Sequence, residues 1–199
     1  MMRLDLGSLL SLARDSVSDP RPTARRLIAL DLPMEARWLA MAATVALSVL
    51  MTQIALMALA VPTEGEFGGA LVSPLAAAAV QGATILILAA GIARIGAMAG
   101  GQGGFPDALL LVTWAEFVLV ILQAVQILVT LLFPFSSFLI GFAGIVLFFW
   151  LLTQFTAELH GFQSAPKVFL ALLGGFFVAG FLLLILAGAV GLTPADMGV

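Results

Sequence analysis

Few side chains in this chain can do chemistry, and the most informative of them lie inside an apolar stretch. Between residues 108 and 133, Thr113, Glu116, Gln123, Gln126 and Thr130 fall within an arc of about 140° when wound at roughly 100° per residue. Glu116, Gln123 and Thr130 are successive sevens and line one seam, while Trp114 points the other way. A carboxyl group near the middle of a membrane span costs on the order of 3 kcal/mol, so Glu116 is expected to face protein or water. It can then bind a proton or cation in a small transporter or channel, or tie helices together as a hydrogen-bonded Glu. Transport pathways usually need several ionisable groups or broken helices, and no second acid lies at mid-depth, which favours the tie. Depth nominates its partners: Arg94, Gln154, Glu158 or His160. Gln53, Gln81 and Gln126 fall in the outer halves of their stretches and suggest a second polar layer.

Elsewhere the composition excludes chemistry. With no cysteine and a single histidine, the chain has no thiolate nucleophile, iron–sulfur ligands or multi-histidine metal set. No acid–base pair or nucleophile with a base stands at a useful spacing, so no enzyme, catalytic residue, metal or cofactor is expected. The run Gly100 to Gly104 lacks the Lys and Ser/Thr of a phosphate loop and reads as a flexible connection. His160, flanked by Glu158, Gly161 and Ser164, reads as a hydrogen-bonding end-cap, and with Glu158 is a candidate loop contact. No nucleic-acid partner is expected at a net charge of −3.

The elements that must position these residues follow from hydropathy. Only 10% of residues are charged and mean hydropathy is +1.19, against about 25% charged in soluble domains. Residues 38–61, 74–93, 108–133, 137–157 and 168–190 are each apolar for long enough to cross about 30 Å of hydrocarbon. Continuous rather than alternating apolarity makes them helices, so the fold class is an all-α polytopic membrane protein with a five-helix transmembrane bundle. The third helix should be central, and the short link around Pro134 makes the third and fourth a tight hairpin.

All eight Lys and Arg fall on one side of this threading. The positive-inside rule then puts the N terminus in the cytoplasm, and the C terminus, with the tail 191–199, outside. Residues 1–37 form the cytoplasmic segment, and no cleavable signal peptide is expected in it. Leu6, Leu9, Leu10, Ala13 and Val17 share one face of an amphipathic helix that lies on the membrane or against the bundle. Asp19-Pro20 ends it, and a second short helix from Pro22 to Leu30 brings Arg21, Arg25 and Arg26 to the lipid headgroups. Asp31 reads as a helix-start signal. Small-residue ridges at Thr44/Ser48/Thr52, Ala89/Ala93/Ala97 and Ala171/Gly175/Ala179 mark close helix contacts within the bundle, or with an oligomer or partner subunit.

A family pattern runs through these signposts. A Leu-rich segment ending in Pro20-Arg21-Pro22 precedes the first span. Gly100 to Phe105 opens a span containing Trp114-Ala115-Glu116, and Trp150 to His160-Gly161-Phe162 leads through Ser164 to Lys167 into the last. From about Leu9 to Val190 the chain resembles the Yip family of five-span integral membrane proteins, in particular its bacterial branch. The resemblance implies a five-span integral membrane protein, and the first functional reading is a non-enzymatic scaffold, assembly or accessory subunit of a bacterial inner membrane, acting through helix contacts and its N-terminal segment. Its partners are then the bilayer and other membrane subunits or further copies of itself. Eukaryotic members carry tyrosines in their signature motifs and bind lipid-modified Rab GTPases; this chain has no tyrosine. The alternative function is a small transporter or channel component built on Glu116 and its stripe.

Overall fold

A computed structural model describes residues 5–59 and 73–189; the expected tail 191–199 lies outside them. Among the described residues the chain is helical throughout, with no strand. Two short helices, α1 (Leu6–Ser18) and α2 (Pro20–Ile28), precede five long ones: α3 (Met34–Ala58), α4 (Pro74–Met98), α5 (Phe105–Leu132), α6 (Ser136–His160) and α7 (Ala165–Ala189). All five are long and apolar enough to cross a membrane. A helix satisfies its own backbone hydrogen bonds, which lipid cannot do for it.

Several helices overrun their apolar stretches on the side that carries the Lys and Arg, here termed the charged end. α3 begins at Met34 rather than 38, α4 continues to Met98 rather than 93, and α6 reaches His160 rather than 157. The extensions take in Glu35, Arg37, Arg94 and Glu158, polar groups that find protein partners or stand exposed. Asp31 does not start α3. It sits in the left-handed region at φ 43° in the turn after α2, a conformation Asp tolerates better than most residues, and Pro33 stands at the start of the helix.

α5 is central, packing against α2, α3, α4 and α6, whereas α7 packs chiefly on α6. The core gathers at the charged end, where Leu109, Leu111, Leu151, Leu152 and Phe155 close over Ala24 and Leu27 of α2 and Leu12 of α1. Toward the far end the helices turn large apolar side chains outward, among them Leu132, Phe135, Phe138 and Leu139. On the expected ridge Ala171/Gly175/Ala179 of α7 both alanines are exposed, and a methyl group built on Gly175 would meet nothing within 4 Å.

Candidate functional site

α1 and α2 are strapped onto the charged end rather than lying loose on a membrane surface. Trp150 Nε1–H donates to the Val17 carbonyl (3.2 Å), Arg21 Nε–H to Gln154 Oε1 (2.8 Å) and Arg25 Nε–H to Glu158 Oε1 (2.7 Å). Each pair is separated by 133 residues, so α6 and the chain from Val17 to Arg25 run parallel and meet once per turn. A second indole fastens α1 to α5, with Trp114 Nε1–H donating to Ser16 Oγ (2.8 Å), which itself donates to the Leu12 carbonyl. Trp114 does face away from the polar seam, and what it faces is the strap.

The three arginines expected at lipid headgroups therefore have protein partners first. Arg21 and Arg25 hold α6, and Arg26 reaches Asp15 of α1 (3.4 Å). The hydrogen bond that Arg25 donates to the Glu158 carboxylate, and the negative charge of that carboxylate, hold the Arg25 guanidinium above its ordinary value. The Arg25 side chain is still 70% exposed, so it can reach a headgroup as well.

His160 is a latch of greater depth than an end-cap. It is 4% exposed. Nδ1 accepts from the Gly103 N–H (3.1 Å) and Nε2 faces the Ile92 carbonyl (3.0 Å). A carbonyl only accepts, so the proton of the neutral ring is on Nε2. The ring stacks on Phe162 with centroids 5.4 Å apart. Methyl groups built on Gly96 or Gly101 would overlap this ring, and one on Gly103 would overlap Leu159. The run expected to be a flexible connection is thus a fitted cradle: its glycines admit the ring, and Gly100 turns at φ 87°, which favours glycine.

One ion pair escaped the sequence reading. Arg37 donates from Nε to the Leu32 carbonyl (2.8 Å) and from Nη1 to Asp107 (2.7 Å), joining the starts of α3 and α5 with the guanidinium buried. The signal was available: both residues open odd-numbered spans, at the same depth and with opposite charge.

Inside the spans the polar residues do not converge. Gln81 Nε2 donates to Glu116 (2.9 Å), Gln123 to Thr52 Oγ1 (3.3 Å) and Gln126 to the Ser137 carbonyl (3.3 Å). Three of the four nominated partners of Glu116 are engaged elsewhere. Gln154 and Glu158 serve the strap, His160 its cradle, and Arg94 is exposed with no ion pair among the described residues. Gln81 and Gln126, expected in one outer layer, go to different partners. The Thr113 and Thr130 hydroxyls are buried with no hydrogen-bond partner among the described residues. Among the described residues no cluster of His and acids is arranged to hold a metal ion.

Five apolar helices with α5 at their centre, strapped at one end by a helical pair, define a polytopic helical membrane protein. The profile of the Yip1 domain matches residues 14–187, from within α1 to the last turn of α7, and the chain belongs to that family. No curated protein and no solved structure matches it.

Proposed function

We propose that this chain is a non-enzymatic scaffold or assembly subunit, with its strapped end in the cytoplasm of a bacterial inner membrane. The observation behind this reading is the contrast between an end fastened by Arg21, Arg25, Arg37 and His160 and a last helix with bare sides. Only 6% of the most apolar stretch of α7 is buried, against 28% for α5. A helix with small residues in open space can approach another helix closely, in a second copy or in a different subunit. The absence of cysteine makes this easy to test. A single Gly175→Cys should form an interchain disulfide in native membranes, or the chain should bring the same subunit through mild-detergent purification. A lone monomer in both experiments would remove the scaffold reading.

The Glu116–Gln81 pair favours a second reading, a small transporter or channel component. Glu116→Gln separates the two. It should leave cross-linking and co-purification intact if the chain is a scaffold, and abolish proton- or cation-dependent flux in liposomes if it is a transporter.

A further inference from the structure

A groove of about 220 Å³ runs between α3 and α5 beneath the first half of α1. Ala43 and Leu47 form one wall, Leu110 and Phe117 the other, and Leu9 of α1 closes over it. Two hydroxyls line these apolar walls, Thr44 at 6% exposure and Thr113 at 3%. The Thr113 hydroxyl is buried with no hydrogen-bond partner among the described residues. Thr23 and Thr84 each donate to the carbonyl four residues back in their own helix, whereas Thr130, Thr153 and Thr156, like Thr113, are buried without a partner among the described residues. A buried hydroxyl left without a partner costs about 1–3 kcal/mol, so Thr113 beside this groove gains from an acceptor that an occupant brings.

The shape and depth of the groove restrict what brings that acceptor. Its volume is several times the roughly 30 Å³ share of one water molecule, and apolar walls do not hold a file of waters. α5 has 28 residues and is longer than the hydrocarbon is thick, since about 20 residues cross about 30 Å. Counting about 20 residues inward from the exposed Phe133 at the far end reaches Thr113. Thr113 therefore lies in the half of the span nearest the charged end, beside Trp114, a residue type that favours the membrane interface. Glycerolipids of that leaflet carry their ester carbonyls at the headgroup edge of this half.

We propose that this groove binds one acyl chain of a glycerophospholipid from the leaflet at the charged end, with an ester carbonyl accepting from Thr44 or Thr113. The Thr113 hydroxyl turns about χ1 to reach it, and Leu9 packs on the chain from above, so α1 is a lid on a lipid as well as part of the strap.

The full chain, reconstituted in dioleoyl-phosphatidylethanolamine vesicles and taken into mild detergent, is to be examined by native mass spectrometry. One phospholipid per chain should survive detergent exchange. Ala43→Phe, which fills the groove, should lower the retained fraction by about tenfold, a change of 1.4 kcal/mol. The double variant Thr44→Val with Thr113→Val keeps the shape of the groove and should lower it by about fivefold, the worth of one hydrogen bond. It also decides the matter should Ala43→Phe fail to fold. Retention unchanged in the double variant, no lipid retained by the parent chain, or a groove that takes only lipids without an ester carbonyl would each overturn the proposal.

Discussion

The charged end and the far end of this bundle are built from the same apolar helices but held together differently. At the charged end, α2 meets α6 once per turn, Arg37 joins α3 to α5, and His160 joins α6 to α4 and to the loop that follows it. Toward the far end, among the described residues, the side-chain links of α5 are those from Gln123 to Thr52 Oγ1 and from Gln126 to the Ser137 carbonyl, beside the hydroxyl of Thr130, which has no partner there. Lipid tails are as apolar as Leu, so apolar burial does not draw helices together inside a bilayer, and they associate through close packing and polar contacts. Where this chain supplies those contacts it packs like a soluble core; where it does not, its helices are left to lipid or to another subunit.

The largest test of this contrast is Arg37→Ala. Removing one partner of a buried ion pair leaves the other uncompensated, and the expected cost is about 3–5 kcal/mol, at the lower end here because Asp107 is 31% exposed. Gln126→Leu at the far end should cost about 0.6 kcal/mol, the average for an interhelical hydrogen bond in a membrane protein. Thermal unfolding in one detergent, followed by tryptophan fluorescence, compares the two. Equal losses would mean that the far end is held as firmly as the charged end.

Second in size is Gly96→Ala, with Gly175→Ala as its counterpart. Both add one methyl group inside a helix, so the gain in helix propensity, up to about 1 kcal/mol, is shared. The Gly96 methyl meets the His160 ring and the Gly175 methyl meets nothing. Overpacking costs about 1–3 kcal/mol, so the first variant should lower the unfolding temperature and the second should raise it or leave it alone. His160→Ala should rescue Gly96→Ala in part, which a general loss of helix stability at Gly96 would not allow.

Hydropathy made the fold class legible, because a bilayer allows few ways to bury a continuous apolar run. The arc of polar residues on α5 was legible as well, since it depends only on the helical period. Partners were not. Depth alone nominated Arg94, Gln154, Glu158 and His160 for Glu116, yet the strap and the cradle had prior claim on three of them, and neither is visible in a hydropathy profile. The run Gly100 to Gly104 looked like slack because glycine is read locally as freedom, while the reason for it lies nearly 60 residues away in an imidazole ring. What the sequence obscured was long-range pairing at the charged end, where the fold departs from a generic bundle.

A smaller effect examines how the strap is attached. Trp114→Phe removes the indole N–H that Ser16 accepts and keeps most of the apolar contact, so the cost should be about 1 kcal/mol. If the strap is clamped at several points, amide exchange in α1 should rise while α2, held by Arg21 and Arg25, stays protected. Release of both helices together would make the Ser16–Trp114 bond the main fastening. The Arg25–Glu158 pair, with its guanidinium largely exposed, should weaken with salt and move the unfolding temperature least of these contacts.

The smallest effect concerns the start of α1, the part of the charged end farthest along the chain from the clamp. Asp5 caps this helix, accepting from the Ser8 N–H at 2.9 Å. That bond, with help from the Ser8 hydroxyl, holds its carboxyl below the ordinary carboxylate value. A group lowered on folding contributes stability above its unfolded pKa, and the contribution is lost as pH falls through the lowered folded value. Acidification below the ordinary carboxylate range should therefore fray the first turn of α1. The Ser8 amide resonance should shift and broaden in that window while the unfolding temperature of the bundle holds, because the clamp at Ser16 and Val17 lies nearly three turns further on. Asp5→Asn should remove the titration and keep a cap, since Asn caps about as well as Asp. If the whole strap left α6 as Asp5 was protonated, the first turn of α1 would have to be part of the clamp, and the boundary between fastened and unfastened regions would move to the start of the chain.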